Sequence, residues 1–238
     1  MRFTLCLILA AFLGIQPALA EDPAGDPVDQ LSQLLPNTTI DGFGPTPIPG
    51  LFEVTAGDQI FYFSPTGHLV FGEIWTKDGR SLTAERREQV IAEKIKRLPL
   101  QKALTIGNGP HQVIEFTDPD CPFCRKVDVF FANRSDVTRH VFFYPIAGLH
   151  PKAAAKARYI LCSDDRERAM REVYSGAWDS EALPPLANGC QETLLDEHLQ
   201  LGGMLGVRGT PTIWVDGTAI KGADLAAIAA LLDQPSKQ

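Results

Sequence analysis

The segment VIEFTDPDCPFCRK, residues 113–126, places two cysteines at the junction of two predicted elements. Its first five residues form an apolar, β-rich run that predicts a strand, and residues 122–132 predict a helix. Pro122 falls in the first helical turn, where its missing N–H costs nothing. Cys121 is therefore expected at the helix N-terminus, and Cys124 one turn further along.

This position favours redox chemistry. A helix N-terminus presents unpaired backbone N–H groups and the positive end of the helix dipole, so a sulfur there is stabilised as the thiolate. We therefore expect Cys121 to have a lowered pKa and to be the attacking sulfur. Cys124, which is less exposed, would resolve the mixed disulfide that Cys121 forms.

Two other interpretations of the cysteine pair are a structural zinc site and a purely structural disulfide. A structural zinc site needs two further ligands at short spacing. Cys162 and Cys190 lie 28 residues apart, and the five histidines are scattered through the sequence at positions 68, 111, 140, 150 and 198. We therefore expect no metal and no cofactor. A purely structural disulfide is weakened by the strand-to-helix setting, which is typical of a redox motif.

Outward from this motif the sequence alternates between strands and helices. A second strand is predicted over residues 141–144, and helices over 151–162 and 165–174. A hairpin across Asp216-Gly217 and a closing helix over 223–232 follow. This order of elements predicts an α/β redox domain with a helical insertion over residues 99–238.

Two further features fit a redox site. Thr210-Pro211 precedes a predicted strand, where a proline is either an edge-strand residue or a cis bond facing the site. Glu115 lies inside the apolar strand, and alternation points it inward with Val113. A buried carboxylate is costly unless it is paired or protonated, so Glu115 either exchanges protons with Cys124 or is solvated at a strand edge.

The N-terminal half has a different pattern. Residues 21–49 predict a small helix followed by loop, and residues 51–54, 59–64 and 68–75 predict an antiparallel meander. About sixty residues with one sheet bury too little surface to be comfortable alone, so residues 21–79 are expected to dock on something. The charged segment Ser81–Leu98 predicts a solvated helix, either an ordinary surface helix or, as we favour, an inter-domain linker over residues 80–98.

Residues 1–20 predict a cleaved secretory signal. Arg2 precedes an apolar run, and Ala18-Leu19-Ala20 provides the small residues of a cleavage site. The alternative is an uncleaved membrane anchor, but Gln16 and Pro17 interrupt the run well short of the ~20 apolar residues that a span needs. We therefore expect an exported protein in a compartment that permits disulfides.

Cysteine count and net charge narrow the function further. Four cysteines remain after cleavage, and four allow three connectivities, of which Cys121–Cys124 with Cys162–Cys190 is the most economical. The formal net charge of −7 provides no field that would attract phosphate backbones, so nucleic-acid binding is disfavoured.

Several segments together resemble the DsbC family of periplasmic thiol:disulfide isomerases, whose close relatives include DsbG-type proteins. Residues 116–126 are similar to the family's redox motif, and residues 206–211 to its cis-proline loop. Residues 48–54 with the meander resemble its N-terminal dimerisation domain, and the helix from Ser81 resembles its linker. Residues 161–164 and 188–190 match the positions of its second, structural disulfide.

The resemblance implies an α+β N-terminal dimerisation domain, a helical linker, and a thioredoxin-like α/β domain with a helical insertion. It implies a homodimer in the periplasm that acts on misfolded or mis-oxidised exported proteins and receives electrons from a DsbD-like membrane reductase. The implied site residues are a redox-active disulfide, a cis-proline loop, an acidic residue and a structural disulfide: Cys121, Cys124, Thr210, Pro211, Glu115, Cys162 and Cys190.

Two departures leave other functions open. Pro122-Phe123 differs from the Gly-Tyr dipeptide of the best-known isomerase and is closer to DsbG-like or DsbA-like variants, and Glu115 is more like the acidic residue of DsbA and thioredoxin. The dipeptide tunes the redox potential, so a periplasmic dithiol oxidase of DsbA-like function is the first alternative. A redox-independent chaperone is the second.

Overall fold

The computed structural model of the protein describes residues 26–187, 190 and 193–236. Two separate β-sheets organise this part of the chain, one near its N-terminus and one in its C-terminal half. The predicted signal segment, residues 1–20, lies outside the described residues. Within the described ranges, no helix has the length and apolarity that a membrane crossing requires.

The N-terminal sheet is an antiparallel meander that follows a short helix, α1 (Pro27–Leu34). Its strands, in spatial as well as chain order, are β1 (Gly42–Pro45), β2 (Phe52–Ala56), β3 (Gln59–Ser64) and β4 (His68–Val70). The predicted meander is therefore confirmed for β2 to β4, although β4 ends earlier than expected. β1 was predicted as loop, because glycine and proline have low strand propensity.

Each face of this sheet is covered by a different helix. Leu31 of α1 is fully buried with Val54, Phe61 and Phe63 on one face. Tyr62 points to the opposite face, as strand alternation requires, and its hydroxyl is hydrogen-bonded to the Thr83 hydroxyl of the following helix. The sheet therefore lies between two helices and buries apolar side chains on both sides.

Helix α2 (Leu82–Lys96) confirms the helix predicted from Ser81. The Ser81 side chain caps it by accepting a hydrogen bond from the Ala84 backbone N–H at 3.0 Å. Its first turn packs on the N-terminal sheet, whereas Ile95, near its end, packs in a cluster with residues of the C-terminal half. The helix therefore joins two separate cores.

The C-terminal sheet has five strands in the order β5-β7-β6-β8-β9. These are β5 (Leu104–Gly107), β6 (His111–Thr117), β7 (Val137–Phe143), β8 (Thr212–Val215) and β9 (Thr218–Ile220). β6 pairs with β7 in parallel, and the other pairings are antiparallel. β6, which leads into the cysteine motif, is therefore the central strand.

Five helices surround this sheet: α3 (Pro122–Phe131), α4 (Ala153–Cys162), α5 (Arg166–Tyr174), α6 (Thr193–Met204) and α7 (Leu225–Leu232). The predicted strand, helix, strand, helices, hairpin and final helix are all confirmed. The α/β domain with a helical insertion, consisting of α4 to α6, is therefore the observed architecture.

Two elements of this half, β5 and α6, were not predicted, and neither was the short 3-10 helix Leu100–Lys102. β5 has only four residues and no alternating pattern long enough to recognise. α6 contains Gly202 and Gly203, and glycine is a poor helix former. Gly202 lies where the Tyr144 ring passes, because a Cβ there would stand 2.4 Å from a ring carbon. Close packing between α6 and the sheet therefore requires this glycine.

His198 of α6 connects the helical insertion to the sheet. The ring is completely buried. Its Nδ1 accepts a hydrogen bond from the Phe143 backbone N–H at 3.0 Å, and its Nε2 donates one to the Lys102 carbonyl at 2.9 Å. Burial lowers the pKa of His198, so the folded protein favours the neutral ring.

We therefore predict that His198 makes the protein less stable in mild acid. The folded-state pKa lies below that of the unfolded chain, about 6.5, so the free energy of unfolding should fall as the pH decreases below that value. His198→Gln keeps a donor and an acceptor but does not titrate, so its stability should change less between pH 7.5 and 5.5. Urea unfolding at both pH values measures this difference.

The matched control is His68→Gln, which removes an exposed histidine and should leave the wild-type pH dependence in place. A His198→Gln protein that loses stability with falling pH as steeply as the wild type would contradict the assignment.

Candidate active site

The turn between β6 and α3 is fixed by the buried carboxylate of Asp118. This side chain is fully buried and accepts three hydrogen bonds, from the Asp120 backbone N–H at 2.8 Å, the Ile146 backbone N–H at 2.7 Å and His150 Nδ1 at 2.9 Å. These bonds tie the turn to the segment that follows β7. The position of Cys121 is therefore determined by long-range contacts as well as by its own helix.

The two cysteines lie where the sequence predicts. Cys121 is the N-cap of α3 and Pro122 its first residue. The thiols are not bonded to each other; Cys121 is 5% exposed and Cys124 is fully buried. The Asp118 backbone N–H donates to Cys124 Sγ at 3.4 Å. Cys121 therefore retains a small exposed surface, whereas Cys124 has none.

Their surroundings shift the two thiol pKa values in opposite directions. The Cys124 thiol, the backbone N–H groups of Cys124 and Phe123 and the Thr210 side chain lower the pKa of Cys121 to about 5, against the effect of its partial burial. Burial raises the pKa of Cys124 well above its ordinary value, as does its hydrogen bond to Cys121. At neutral pH the arrangement therefore holds a thiolate at Cys121 and a neutral thiol at Cys124.

The cis-proline loop faces Cys121. The Thr210–Pro211 peptide bond is cis, the alternative that we favoured over an edge-strand proline. When Cys121 is protonated, its Sγ donates a hydrogen bond to the Thr210 carbonyl oxygen at 3.3 Å. The loop therefore presents a backbone acceptor next to the sulfur, where an extended substrate strand would also need backbone partners.

Glu115 lies in the central strand and is completely buried, so the solvated edge position that we considered for it is wrong. Arg139 Nη2 donates to its Oε2 at 2.8 Å, and Nη1 of the same guanidinium contacts Asp128 Oδ1 at 2.9 Å. Glu115 Oε1 has no hydrogen-bond partner among the described residues. The negative charge of Glu115 contributes to the raised pKa of Cys124.

Cys162, at the end of α4, is bonded to Cys190, with Cα atoms 5.1 Å apart. This bond closes a loop of the insertion that contains α5. Among the described residues, no group of three or more histidine, cysteine, aspartate or glutamate side chains is arranged to hold a metal ion.

Several polar residues of the site were not identified from the sequence. Arg139 lies on β7 opposite Val113 and therefore reaches Glu115 diagonally across the parallel pair. His150 and Lys156 come from the segment after β7 and from α4. The only available signal was a basic residue inside an otherwise apolar strand or alanine-rich helix, and it does not identify a partner.

A sulfur that is ionised next to one that is neutral suits thiol–disulfide exchange. The thiolate attacks a disulfide, and a second thiol resolves the mixed disulfide that forms. The remaining contacts hold these two sulfurs at fixed depths, so the geometry supports exchange with a disulfide presented at the surface over Cys121.

Two family models and one solved structure are similar to parts of the chain. Residues 98–234 match the family model described as a thioredoxin-like domain, and residues 17–84 match the model of the disulfide bond isomerase protein N-terminal domain. A solved structure of a disulfide interchange protein from Neisseria gonorrhoeae is 27% identical, with a TM-score of 0.46, and the match covers 59% of this chain and all of that one.

Two curated relatives are similar over most of the chain. A probable thiol:disulfide interchange protein DsbC from Bordetella avium is 34% identical over 82% of this chain and 69% of its own length. The thiol:disulfide interchange protein DsbC of Escherichia coli K12 is 27% identical over 92% of this chain and 89% of its own. The chain therefore belongs to the DsbC family of thiol:disulfide interchange proteins.

Proposed function

We propose that this protein is an exported disulfide isomerase that reshuffles incorrect disulfides in secreted proteins through its Cys-Pro-Phe-Cys pair. The observation that carries the proposal is the opposite shift of the two thiol pKa values, with Cys121 ionised at the start of α3 and Cys124 buried beneath it. The isomerase-type N-terminal domain supports isomerase over oxidase.

The reaction begins with attack of the Cys121 thiolate on a substrate disulfide. The substrate S–S bond breaks, a mixed disulfide forms, and one substrate sulfur leaves as a thiolate. This thiolate can attack another disulfide of the same substrate, and the new pairing finally expels Cys121 unchanged, with no net transfer of electrons. If Cys124 attacks instead, the substrate leaves reduced and the Cys121–Cys124 pair is oxidised.

The second outcome requires a reductant. Each time Cys124 resolves the mixed disulfide, the Cys121–Cys124 pair becomes a disulfide, and a donor of two electrons must reduce it to the dithiol again. A membrane reductase of the DsbD kind is the partner that we infer for this step. The periplasm is the compartment that we infer, since residues 1–20 carry the features of an export signal.

The same proposal assigns roles to the surrounding residues and segments. Thr210 and Pro211 bind the substrate backbone beside the mixed disulfide, and Cys162–Cys190 is a structural disulfide. We assign residues 21–79 to dimerisation, 80–98 to the linker and 99–238 to the redox domain.

We predict that the alkylation rate of reduced protein by iodoacetamide follows a titration with a midpoint of about 5, because the thiolate is the reacting form. Stopped alkylation followed by mass spectrometry at each pH measures it. Cys124→Ala should raise the midpoint, because it removes the largest stabilising hydrogen bond. Cys121→Ser is the control and should lose the fast phase. A wild-type midpoint at or above about 8.5 would remove Cys121 as the nucleophile.

Glu115 is proposed as the proton acceptor of Cys124. A thiol with a raised pKa must lose its proton before it can resolve a mixed disulfide. Glu115 is buried in the strand beneath the pair, and one carboxylate oxygen is held by Arg139 while the other has no partner among the described residues. Because Arg139 occupies Oε2, the second oxygen is the one available for a proton.

We therefore predict that Glu115→Gln slows resolution by at least about tenfold and leaves the attack by Cys121 nearly unchanged. Quenched-flow measurement of the mixed disulfide formed with a model peptide separates the two steps. Asp128→Asn is the matched control, since it removes the other carboxylate from Arg139 and should affect resolution less. If the single variant is unstable, Glu115→Gln with Arg139→Met removes both charges. If Glu115→Gln and the wild type resolved the mixed disulfide at equal rates, Glu115 would have no role in proton transfer.

The N-terminal sheet provides the surface for a second copy. β4 is a three-residue edge strand, and the exposed side chains of Val70, Phe71 and Trp75 lie on it or directly after it. An edge of this kind must be covered or paired. β1, at the other edge, contains Pro45, which cannot donate to a ladder. We therefore place the symmetric dimer contact at the β4 edge.

Phe71→Lys should accordingly give a monomer that still exchanges simple disulfides but loses isomerase activity on a scrambled substrate with several disulfides. Two facing redox domains keep a client near a second attack, and a single domain does not. Sedimentation and the two activity assays measure this. Leu149→Lys is the control, because this exposed side chain follows β7 in the redox domain. A monomeric wild-type protein at micromolar concentration would contradict the isomerase assignment.

The oxidase remains the second candidate, because a strongly stabilised thiolate favours the reduced pair and makes its disulfide more oxidising. A reduction potential near the DsbA value of about −120 mV, with the pair mostly oxidised in cells, would select it.

A further inference from the structure

Four charged side chains contact one another next to the redox motif: Asp120 and Arg125, which flank the two cysteines in the sequence, with Lys156 and Asp179. Lys156 is 2% exposed, and its Nζ contacts Asp120 Oδ1 at 2.5 Å and Asp179 Oδ1 at 2.6 Å. The Arg125 guanidinium donates two hydrogen bonds of 2.7 Å to the Asp179 carboxylate, and its Nη2 also donates to Asp120 Oδ1 at 3.3 Å. The cluster therefore holds two positive and two negative groups in mutual contact.

The four residues come from separate parts of the chain. Asp120 directly precedes Cys121, and Arg125 directly follows Cys124 on α3. Lys156 belongs to α4, and Asp179 to the segment after α5, so both come from the helical insertion. Arg125 also donates from Nε to the Pro119 carbonyl at 2.9 Å. The insertion is thus attached to both ends of the redox motif.

The charge balance has a chemical consequence. A carboxylate next to a thiolate disfavours ionisation of the thiol, because like charges repel more strongly where water is scarce. The Asp120 side chain is only 18% exposed, so water screens its charge poorly. The two cations cancel this charge at contact distance. A buried lysine in turn is tolerated only when it is paired, as Lys156 is.

We propose that Lys156 and Arg125 are positioning residues of the exchange reaction, which neutralise Asp120 beside the attacking sulfur and fasten the redox loop to the helical insertion. Asp179 contacts both cations and holds them in place. This inference rests on the proposed role of Cys121 as the nucleophile. It assigns the insertion a function in the chemistry in addition to its packing.

Other charged groups also surround the redox motif. Asp118 is paired with His150 on one side, Glu115 with Arg139 beneath Cys124, and Lys126 lies over the exposed Phe123 ring at 5.4 Å. All of these stay unchanged in the variants below. A difference in the Cys121 pKa between the variants is therefore attributed to the cluster.

The test uses two single variants of full-length protein that change the local charge in opposite directions. Lys156→Met leaves the cluster with an excess negative charge and should raise the pKa of Cys121 by about one unit. Asp120→Asn leaves an excess positive charge and should lower it by a similar amount. The pH dependence of Cys121 alkylation gives the pKa, and equilibration with glutathione gives the reduction potential. The potential should fall in Lys156→Met and rise in Asp120→Asn.

The double variant and a control complete the design. Asp120→Asn with Lys156→Met restores neutrality and should return the Cys121 pKa close to the wild-type value. Lys152→Met makes the same chemical change at an exposed position of the same helix start, where solvent screens the charge, and should leave the pKa unchanged. If Lys156→Met fails to fold, Asp120→Asn and the double variant still test the sign.

Opposite shifts with recovery in the double variant support the proposal. Shifts of the same sign in both single variants, or no shift in either, overturn it, because a purely structural cluster does not distinguish the sign of the charge removed. Cys121→Ser separates this result from the proposed function. If Cys121→Ser still exchanged disulfides, the assignment of Cys121 as the nucleophile would be wrong, regardless of the pKa values measured in the other variants.

Discussion

The site depends on one constraint: a thiolate must be held at the start of α3 directly above a thiol that stays neutral. The first requirement is met by the central strand β6, which leads through the turn at residues 118–121 into α3 and so places Cys121 among the unpaired backbone N–H groups of the helix start. Depth satisfies the second half, since Cys124 is one turn further and has no exposed surface. The opposite pKa shifts of the two sulfurs follow from this geometry.

Holding that geometry requires charges in places that an apolar core would normally exclude. Asp118 holds the turn before α3. Glu115 and Arg139 form a buried pair between the sheet and α3. Lys156 is buried in contact with two carboxylates. Such groups are costly to bury and add little net stability even when paired. Buried charged groups of this kind cluster at functional sites, and these three surround the redox motif, so we infer that they serve the chemistry.

The sequence is most informative where local pattern and tertiary role agree. The apolar runs of β3 and β6, the serine cap of α2 and the proline at the start of α3 all predict their own structure. Alternation along β6 also places Glu115 on the inner face. The partners of buried charges cannot be predicted in this way, because Arg139, His150 and Lys156 are joined to the motif only by the fold. β1 and α6 could not be predicted for a related reason, because both contain glycines that only the fold explains. β1 is an edge strand, and Gly202 of α6 leaves room for the Tyr144 ring.

The small N-terminal sheet illustrates how the two halves of the chain support each other. It was expected to dock on something, and α2 provides the attachment, with its first turn on one core and Ile95 in the other. A second contact lies on the turn between β2 and β3, where Asp58 accepts from Arg208 at 2.6 Å, close to the cis-proline loop. An exposed ion pair of this kind contributes little energy, so the apolar end of α2 carries the attachment. Lys94, near the end of α2, also bonds to Asp41 at 3.1 Å, so this end of the helix contacts the N-terminal sheet and the redox domain together.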